Sequence, residues 1–167
     1  MATFAQAIGT LAAFAANARG KGAPAAADAM AEHFVTHERT VTLLESGTHA
    51  RGMPGNAAPG QPPARVSGWL AASFVIDHAA GGGDNAVASA GPTAIYARIQ
   101  EFGGTIHKSP GYMSWASNWD GGGWWRYYKH QVTIRPHPYM RRGLDEVIAD
   151  GSLHDKAAEA FAAVVGD

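Results

Sequence analysis

The spacing of apolar residues changes twice along this chain of 167 residues. Towards both ends, apolar side chains recur at i, i+4 and i+7, as on one face of an amphipathic helix. In the middle they alternate with polar side chains, as in strands that bury one face. The sequence therefore predicts an α+β fold, in which a small antiparallel sheet of about four strands packs against N-terminal and C-terminal helices.

A single domain over residues 1–167 is predicted, because two domains of half this length would each lack an adequate core. Gly20 and Gly22 are expected to separate two N-terminal helices. A stretch rich in Gly and Pro, with few large apolar residues, predicts a long flexible loop. The segments are a helical N-terminal part (1–41), the loop (47–63), the sheet with one short helix (65–149) and a C-terminal helix (152–165).

The short helix within the sheet segment ends at Gly103 and Gly104, which suit a left-handed cap. Ile95, Ile99 and Phe102 recur at i, i+4 and i+7 and form one apolar stripe, which is expected to serve packing. The four strands are predicted in two hairpins, at 72–77 with 86–90 and at 112–117 with 124–134.

A strand-to-helix turn is predicted at Arg135 and Pro136, because proline cannot continue a strand ladder and suits a turn. We further expect Glu101 and Arg135 to form an ion pair that fixes the short helix against the strand before this turn.

Composition excludes several classes of function. A formal net charge of -1, from 13 basic and 14 acidic side chains, argues against a dedicated nucleic-acid binder. The absence of cysteine excludes disulfides and thiolate metal sites. The N-terminus lacks the basic and apolar regions of a signal peptide, and no run approaches the length of a membrane span, so no membrane association is expected.

Catalytic motifs are incomplete, and neither a metal nor another cofactor is predicted. His33 and His37 lie four residues apart, which allows two imidazoles to share an ion, but Phe34 stands where a zincin has its glutamate. No G-x-S-x-G elbow occurs. We therefore expect a protein that is not an enzyme, with a metal-dependent hydrolase built on the two histidines as the weaker alternative.

Aromatic residues are concentrated between residues 112 and 128. Alternation along the last predicted strand places Trp124 on one face, which is expected to be core, and Trp125 and Tyr127 on the other, which is expected to be exposed. Contact with a subunit or neighbouring protein is the favoured interpretation, ahead of packing within the sheet and of carbohydrate or nucleic-acid binding. The expected contact residues are Trp119, Trp124, Trp125 and Tyr127.

Three short motifs occur in a fixed order. They are Ser-Gly-Trp-Leu-Ala-Ala-Ser at 67–73, Tyr-Ala-Arg-Ile-Gln-Glu-Phe-Gly at 96–103, and Arg-Pro at 135–136 before Tyr-Met. In this order the chain resembles the minor tail or tail-completion (neck) family of long-tailed bacteriophages. The residues that carry the resemblance are Ser67, Gly68, Leu70, Tyr96, Glu101, Phe102, Gly103, Arg135 and Pro136.

The resemblance implies an α+β structural protein of the virion, without enzymatic activity or cofactor, that is assembled in the host cytoplasm. It implies a homo-oligomeric ring, often sixfold, in the head-tail connector or at the top of the tail tube. Neighbours would be the head-closure ring, the tail terminator or the tail tube, and DNA would pass through the channel without specific binding. The alternative within the virion is a glycan- or receptor-binding module, suggested by the aromatic segment.

Overall fold

The structure is a computed structural model that describes residues 4–45, 57, 60–63, 68–81, 85–107, 113–117, 125–129 and 131–165. Helices and strands are both present, which confirms the mixed composition that the spacing predicted. The helices are α1 (Phe4–Asn17), α2 (Ala23–Thr40), α3 (Trp69–Ala72), α4 (Ala97–Phe102), α5 (Met140–Ala149) and α6 (Ser152–Val165). The strands are β1 (Phe74–Ala80), β2 (Val87–Pro92), β3 (Gly104–His107), β4 (Met113–Ser117), β5 (Trp125–Lys129) and β6 (Gln131–Ile134).

The chain forms two compact units. The first comprises Met1–His37, Phe74–Gly91 and Leu144–Asp167, and the second comprises Glu38–Ser73 and Pro92–Gly143. Each has its own buried apolar residues, among them Phe34 and Val147 in the first unit and Leu43 and Tyr139 in the second. The single domain over residues 1–167 stays a prediction.

The N-terminal helices are not separated at the glycines, so that expectation was wrong. A π-helical segment, Ala18–Gly22, joins α1 directly to α2, and the flanking residues Asn17 and Ala23 both have helical dihedral angles. Gly22 is buried, and a Cβ there would lie 2.7 Å from Phe161 Cε2 and 2.7 Å from Val165 Cγ2. The glycine therefore permits close approach of α6, and the widened turn keeps the helix continuous.

The described strands form three two-stranded sheets, β1 with β2, β3 with β6 and β4 with β5, rather than the predicted sheet of about four strands. The two predicted strand pairings exist, but the last predicted strand, 124–134, is divided. Its first part, β5, pairs antiparallel with β4, and its second part, β6, pairs antiparallel with β3. The cause is β3, a strand of four residues after α4 that the alternation did not reveal.

Two further expectations concern the loop and the membrane. Most of the predicted loop 47–63 lies outside the described residues, and only 57 and 60–63 of it are described. In the part of the chain that the structure covers, none of the helices has the length and apolar character needed to cross a bilayer.

Candidate functional site

The second motif of the resemblance forms α4, whose two sides have opposite environments. Ala97 and Glu101 are buried, whereas Ile95 is fully exposed and Phe102 is 74% exposed. The apolar stripe, which is expected to serve packing, therefore faces outward, and the buried side carries an alanine and a carboxylate. The prediction of a short helix that ends at Gly103 is confirmed, and the packing role of its stripe stays a prediction.

The carboxylate of Glu101 explains this orientation, because it binds the N-terminus of α5. Its Oε2 accepts hydrogen bonds from the backbone N–H of Tyr139 at 2.7 Å and of Met140 at 3.0 Å. Its Oε1 accepts from the backbone N–H of Arg141 at 3.1 Å. The first N–H groups of a helix lack partners within the helix, and a negative charge is favoured at that end. Glu101 thus acts as a cap supplied from another helix.

This arrangement replaces the predicted ion pair between Glu101 and Arg135. Both oxygens of Glu101 are engaged by backbone N–H groups, and Arg135 is exposed and forms no ion pair with it in the described structure. A buried carboxylate gains more from three fixed N–H donors than from a guanidinium that stays in water. The predicted pairing of Glu101 with Arg135, which was expected to fix the short helix against the strand, is therefore wrong, and Glu101 instead fixes α4 to the N-terminus of α5.

Tyr139 lies over the same buried side of α4. Its ring is fully buried, and its hydroxyl donates a hydrogen bond to the Ala97 carbonyl oxygen at 3.3 Å. Burial, and then the negative charges of Glu101 and Glu38, raise the pKa of the Tyr139 phenol well above its ordinary value. The side chain therefore stays a neutral donor at physiological pH.

Replacing Tyr139 with phenylalanine is expected to flatten the alkaline limb of the stability profile. The unfolded chain releases the phenolic proton near its ordinary pKa of 10.0, while the folded chain keeps it. The stabilisation is therefore complete below that pH and falls above it by about 1.4 kcal/mol per pH unit. Urea denaturation from about pH 9 to about pH 11 measures both slopes. Equal alkaline slopes for wild type and Tyr139→Phe would contradict the assignment.

Two further contacts hold the strand-to-helix turn against α4. The backbone N–H of His137 donates to the Gln100 carbonyl oxygen at 2.7 Å, which satisfies a carbonyl in the last turn of α4. Gly103 has a φ of +69°, and a Cβ there would lie 2.9 Å from Pro136 Cδ and 3.0 Å from the Ile134 carbonyl oxygen. Because Gly103 has no Cβ, the ring of Pro136 can approach it closely.

Substituting Gly103 with alanine is expected to destabilise the protein by about 3 kcal/mol, from left-handed strain together with a backbone clash. Gly151→Ala provides a matched control, because Gly151 has a φ of +78° but no atom within 4 Å of its Cβ position. The control is expected to cost only about 1 kcal/mol. Thermal or urea unfolding of both variants gives the difference, and equal costs would show that the close approach to Pro136 is unimportant.

The outward side of α4 forms a groove of about 390 Å³, lined by Ile95, Arg98, Ile99, Phe102 and Gly103. Arg98 is its ionisable residue, and sequence reasoning did not single it out. The signal was present, because Arg98 stands at i+3 from Ile95 and so interrupts the apolar stripe with a charge. A charge on an apolar stripe is typical of a surface that faces water or a partner, not a core.

The remaining predicted residues have varied surroundings. In the first motif, Gly68 precedes α3 with a φ of +73°, and the Leu70 carbonyl oxygen accepts a hydrogen bond from the Ser73 hydroxyl at 2.8 Å. Ser67, Trp119 and Trp124 lie outside the described residues, and of Trp125 and Tyr127 only the backbone in β5 is described. Contact by the aromatic residues, like the alternative of a glycan-binding module, stays a prediction.

The histidine pair of α2 is engaged with two different partners in the first unit. His33 Nε2 lies 2.8 Å from the Ser152 hydroxyl, and His37 Nε2 lies 3.7 Å from Glu146 Oε2. Hydrogen bonds from Ser152 hold the pKa of the Asp150 carboxyl below its ordinary range. Among the described residues, no group of three or more His, Asp or Glu side chains is placed to hold a metal ion.

Comparisons of the chain with protein-family models, with curated proteins and with solved structures each give no match. The site must therefore be interpreted from its own geometry. That geometry is a helix anchored on one side by a buried carboxylate, with an apolar groove that carries one positive charge on the other side.

Proposed function

We propose that this protein is a structural, non-enzymatic component of a tailed-phage virion. In this proposal, copies of the chain form a ring, sixfold as the resemblance implies, in the head-tail connector or at the top of the tail tube. The single observation that carries the proposal is the exposure of Phe102 within the motif on which the resemblance depends, together with that of Ile95 directly before it.

The buried side of α4 is fully used by the chain itself. Glu101 caps α5, and Tyr139 covers Ala97, so α4 cannot turn its apolar stripe inward without losing these contacts. Covering a side chain as large as Phe102 or Ile95 contributes about 1.5–3 kcal/mol for each residue. Association of copies is a simple way to recover this free energy, and interaction sites in structural proteins are commonly of this kind.

Charge also supports the proposal. The formal net charge of -1 provides no general attraction for phosphate groups. A connector channel through which DNA passes requires that the duplex is not held by its walls. Neighbours in the stack, by the resemblance, are the head-closure ring, the tail terminator or the tail tube.

Native mass spectrometry of the full chain, followed by negative-stain electron microscopy, tests the proposal. We expect a closed ring, and we expect Phe102→Ser to shift the population towards monomers without unfolding the chain. Ala158→Ser, which changes an exposed position on α6, is the matched control and should leave the ring intact. A chain that stays monomeric over the whole accessible concentration range, and that is missing from the connector density of the virion, would refute the proposal.

A further inference from the structure

The charge in the α4 groove restricts what can bind there. In the part of the chain that the structure describes, the guanidinium of Arg98 makes neither a hydrogen bond nor an ion pair. A purely apolar occupant would remove this group from water without compensation, which is unfavourable. The occupant is therefore expected to offer apolar side chains together with a carboxylate.

The same charge excludes one form of self-association. A twofold contact between two α4 grooves would place Arg98 of one copy near Arg98 of the other, and like charges in a covered interface repel each other. A contact between two different surfaces of the chain avoids this repulsion. Such heterologous contacts continue from copy to copy and either close into rings or extend into filaments.

The described surface offers several exposed apolar groups as the second half of the contact. On α1, Ile8, Leu11 and Phe14 are exposed, but residues 4–17 contain no ionisable side chain to match Arg98. On α5, Asp145 stands between the exposed Leu144 and Ile148, but Asp145 already takes part in another interaction.

The exposed residues of β1 and its paired strand β2 meet both requirements. Val75 is 52% exposed and Asp77, two residues later on the same face of β1, is also exposed. Val87 on the paired strand β2 is 67% exposed. Among the described residues, the carboxylate of Asp77 has neither a hydrogen bond nor an ion pair. Within the described chain, Asp77 is therefore a negative charge that has no partner and lies on the same face of β1 as the exposed Val75, which makes it complementary to Arg98 in the groove.

We infer that the α4 groove of one copy binds the Val75–Asp77 face of a second copy, with Arg98 pairing with Asp77 across the contact. This inference rests on the proposed self-assembly and names the two surfaces that carry it. Ile95 and Phe102 of one copy are covered by Val75 and Val87 of the next, and the ion pair sets the register.

A charge-swap experiment tests the contact by sedimentation velocity of the full chain over a concentration series. Arg98→Glu and Asp77→Arg are each expected to weaken association at least tenfold, because each places like charges together. The double variant Arg98→Glu/Asp77→Arg is expected to return to within about threefold of wild type. Arg19→Glu and Glu32→Arg, which reverse exposed charges elsewhere, are the matched controls and should associate like wild type.

Mixing the two single variants tests the contact more specifically, because the contact is heterologous. Each single variant keeps one intact surface, so an equimolar mixture of Arg98→Glu and Asp77→Arg contains both the original and the reversed ion pair. The mixture is expected to assemble at concentrations where either variant alone remains monomeric. Circular dichroism of each variant establishes that all of them are folded.

The possible results distinguish an error in the inferred contact from an error in the proposed function. If wild type assembles and the two single variants behave like the controls, the contact is wrong and the ring proposal stands. If Leu11→Ser on α1 prevents assembly while the charge variants do not, α1 is the occupant and the inference is overturned. If wild type never associates, both the contact and the proposed self-assembly fail.

Discussion

Replacing Glu101 with alanine is expected to lower the free energy of unfolding by about 4 kcal/mol. The carboxylate accepts three hydrogen bonds from the backbone N–H groups of Tyr139, Met140 and Arg141. Its removal leaves these groups without an acceptor at the start of α5 and opens a cavity between two helices. Urea denaturation at neutral pH, followed by circular dichroism, measures the loss.

The substitution Glu101→Gln separates charge from shape. The amide keeps one oxygen acceptor but presents an NH2 group to N–H donors, so we expect about half of the alanine effect. Glu32→Gln changes an exposed carboxylate on α2 and is the control, with an expected change below about 0.5 kcal/mol. If Glu101→Gln proved as mild as this control, the cap would contribute little to stability.

Gly143→Ala is expected to destabilise the protein by about 3 kcal/mol or to prevent folding. Gly143 lies within α5 and is buried against α2, where Glu38 is fully buried. A Cβ at this position would overlap Glu38 Oε1 and would lie 2.8 Å from Thr42 Oγ1. Because the surrounding groups are themselves buried, neither can move aside without disturbing its neighbours.

Gly9→Ala gives the contrast, because Gly9 lies within α1 and has no atom within 4 Å of its Cβ position. Alanine is the better helix former, so this variant is expected to gain about 0.5–1 kcal/mol. Differential scanning calorimetry of both variants shows whether each is more or less stable than wild type. Stabilisation by Gly143→Ala as well would mean that Glu38 does not pack against the glycine.

Some of the fold was accessible from the sequence because it depends on local periodicity. The helical spacing of the last segment predicted residues 152–165, and α6 is Ser152–Val165. The end of α4 at Gly103 was predicted from the glycine pair, although Gly103, with φ +69° and ψ -175°, does not have the left-handed helical conformation that was expected of the cap. Whether α1 and α2 are separate helices could not be predicted in this way. Gly22 does not end a helix, and because it has no Cβ, Phe161 can pack close to it.

The strands, too, could be predicted from the sequence only in part. The segments that became β1, β2, β4 and β5 were recognisable from alternation and turn residues. The partner of β6, strand β3, was not recognisable. It contains only Gly104–His107, and neither its own residue pattern nor the residues beside it indicate a strand. Which strand pairs with which depends on contacts between residues far apart in sequence, and alternation along one strand does not contain that information.

By itself, the sequence determined that a short helix with an apolar stripe ends at Gly103. Only the tertiary structure decided which side of that helix is buried. Hydrophobic periodicity assigns the apolar side to the interior, but three N–H donors at the start of α5 hold the Glu101 carboxylate inside. The inward side of α4 is thus set by a helix terminus some forty residues away, and Ile95 and Phe102 are left on the surface.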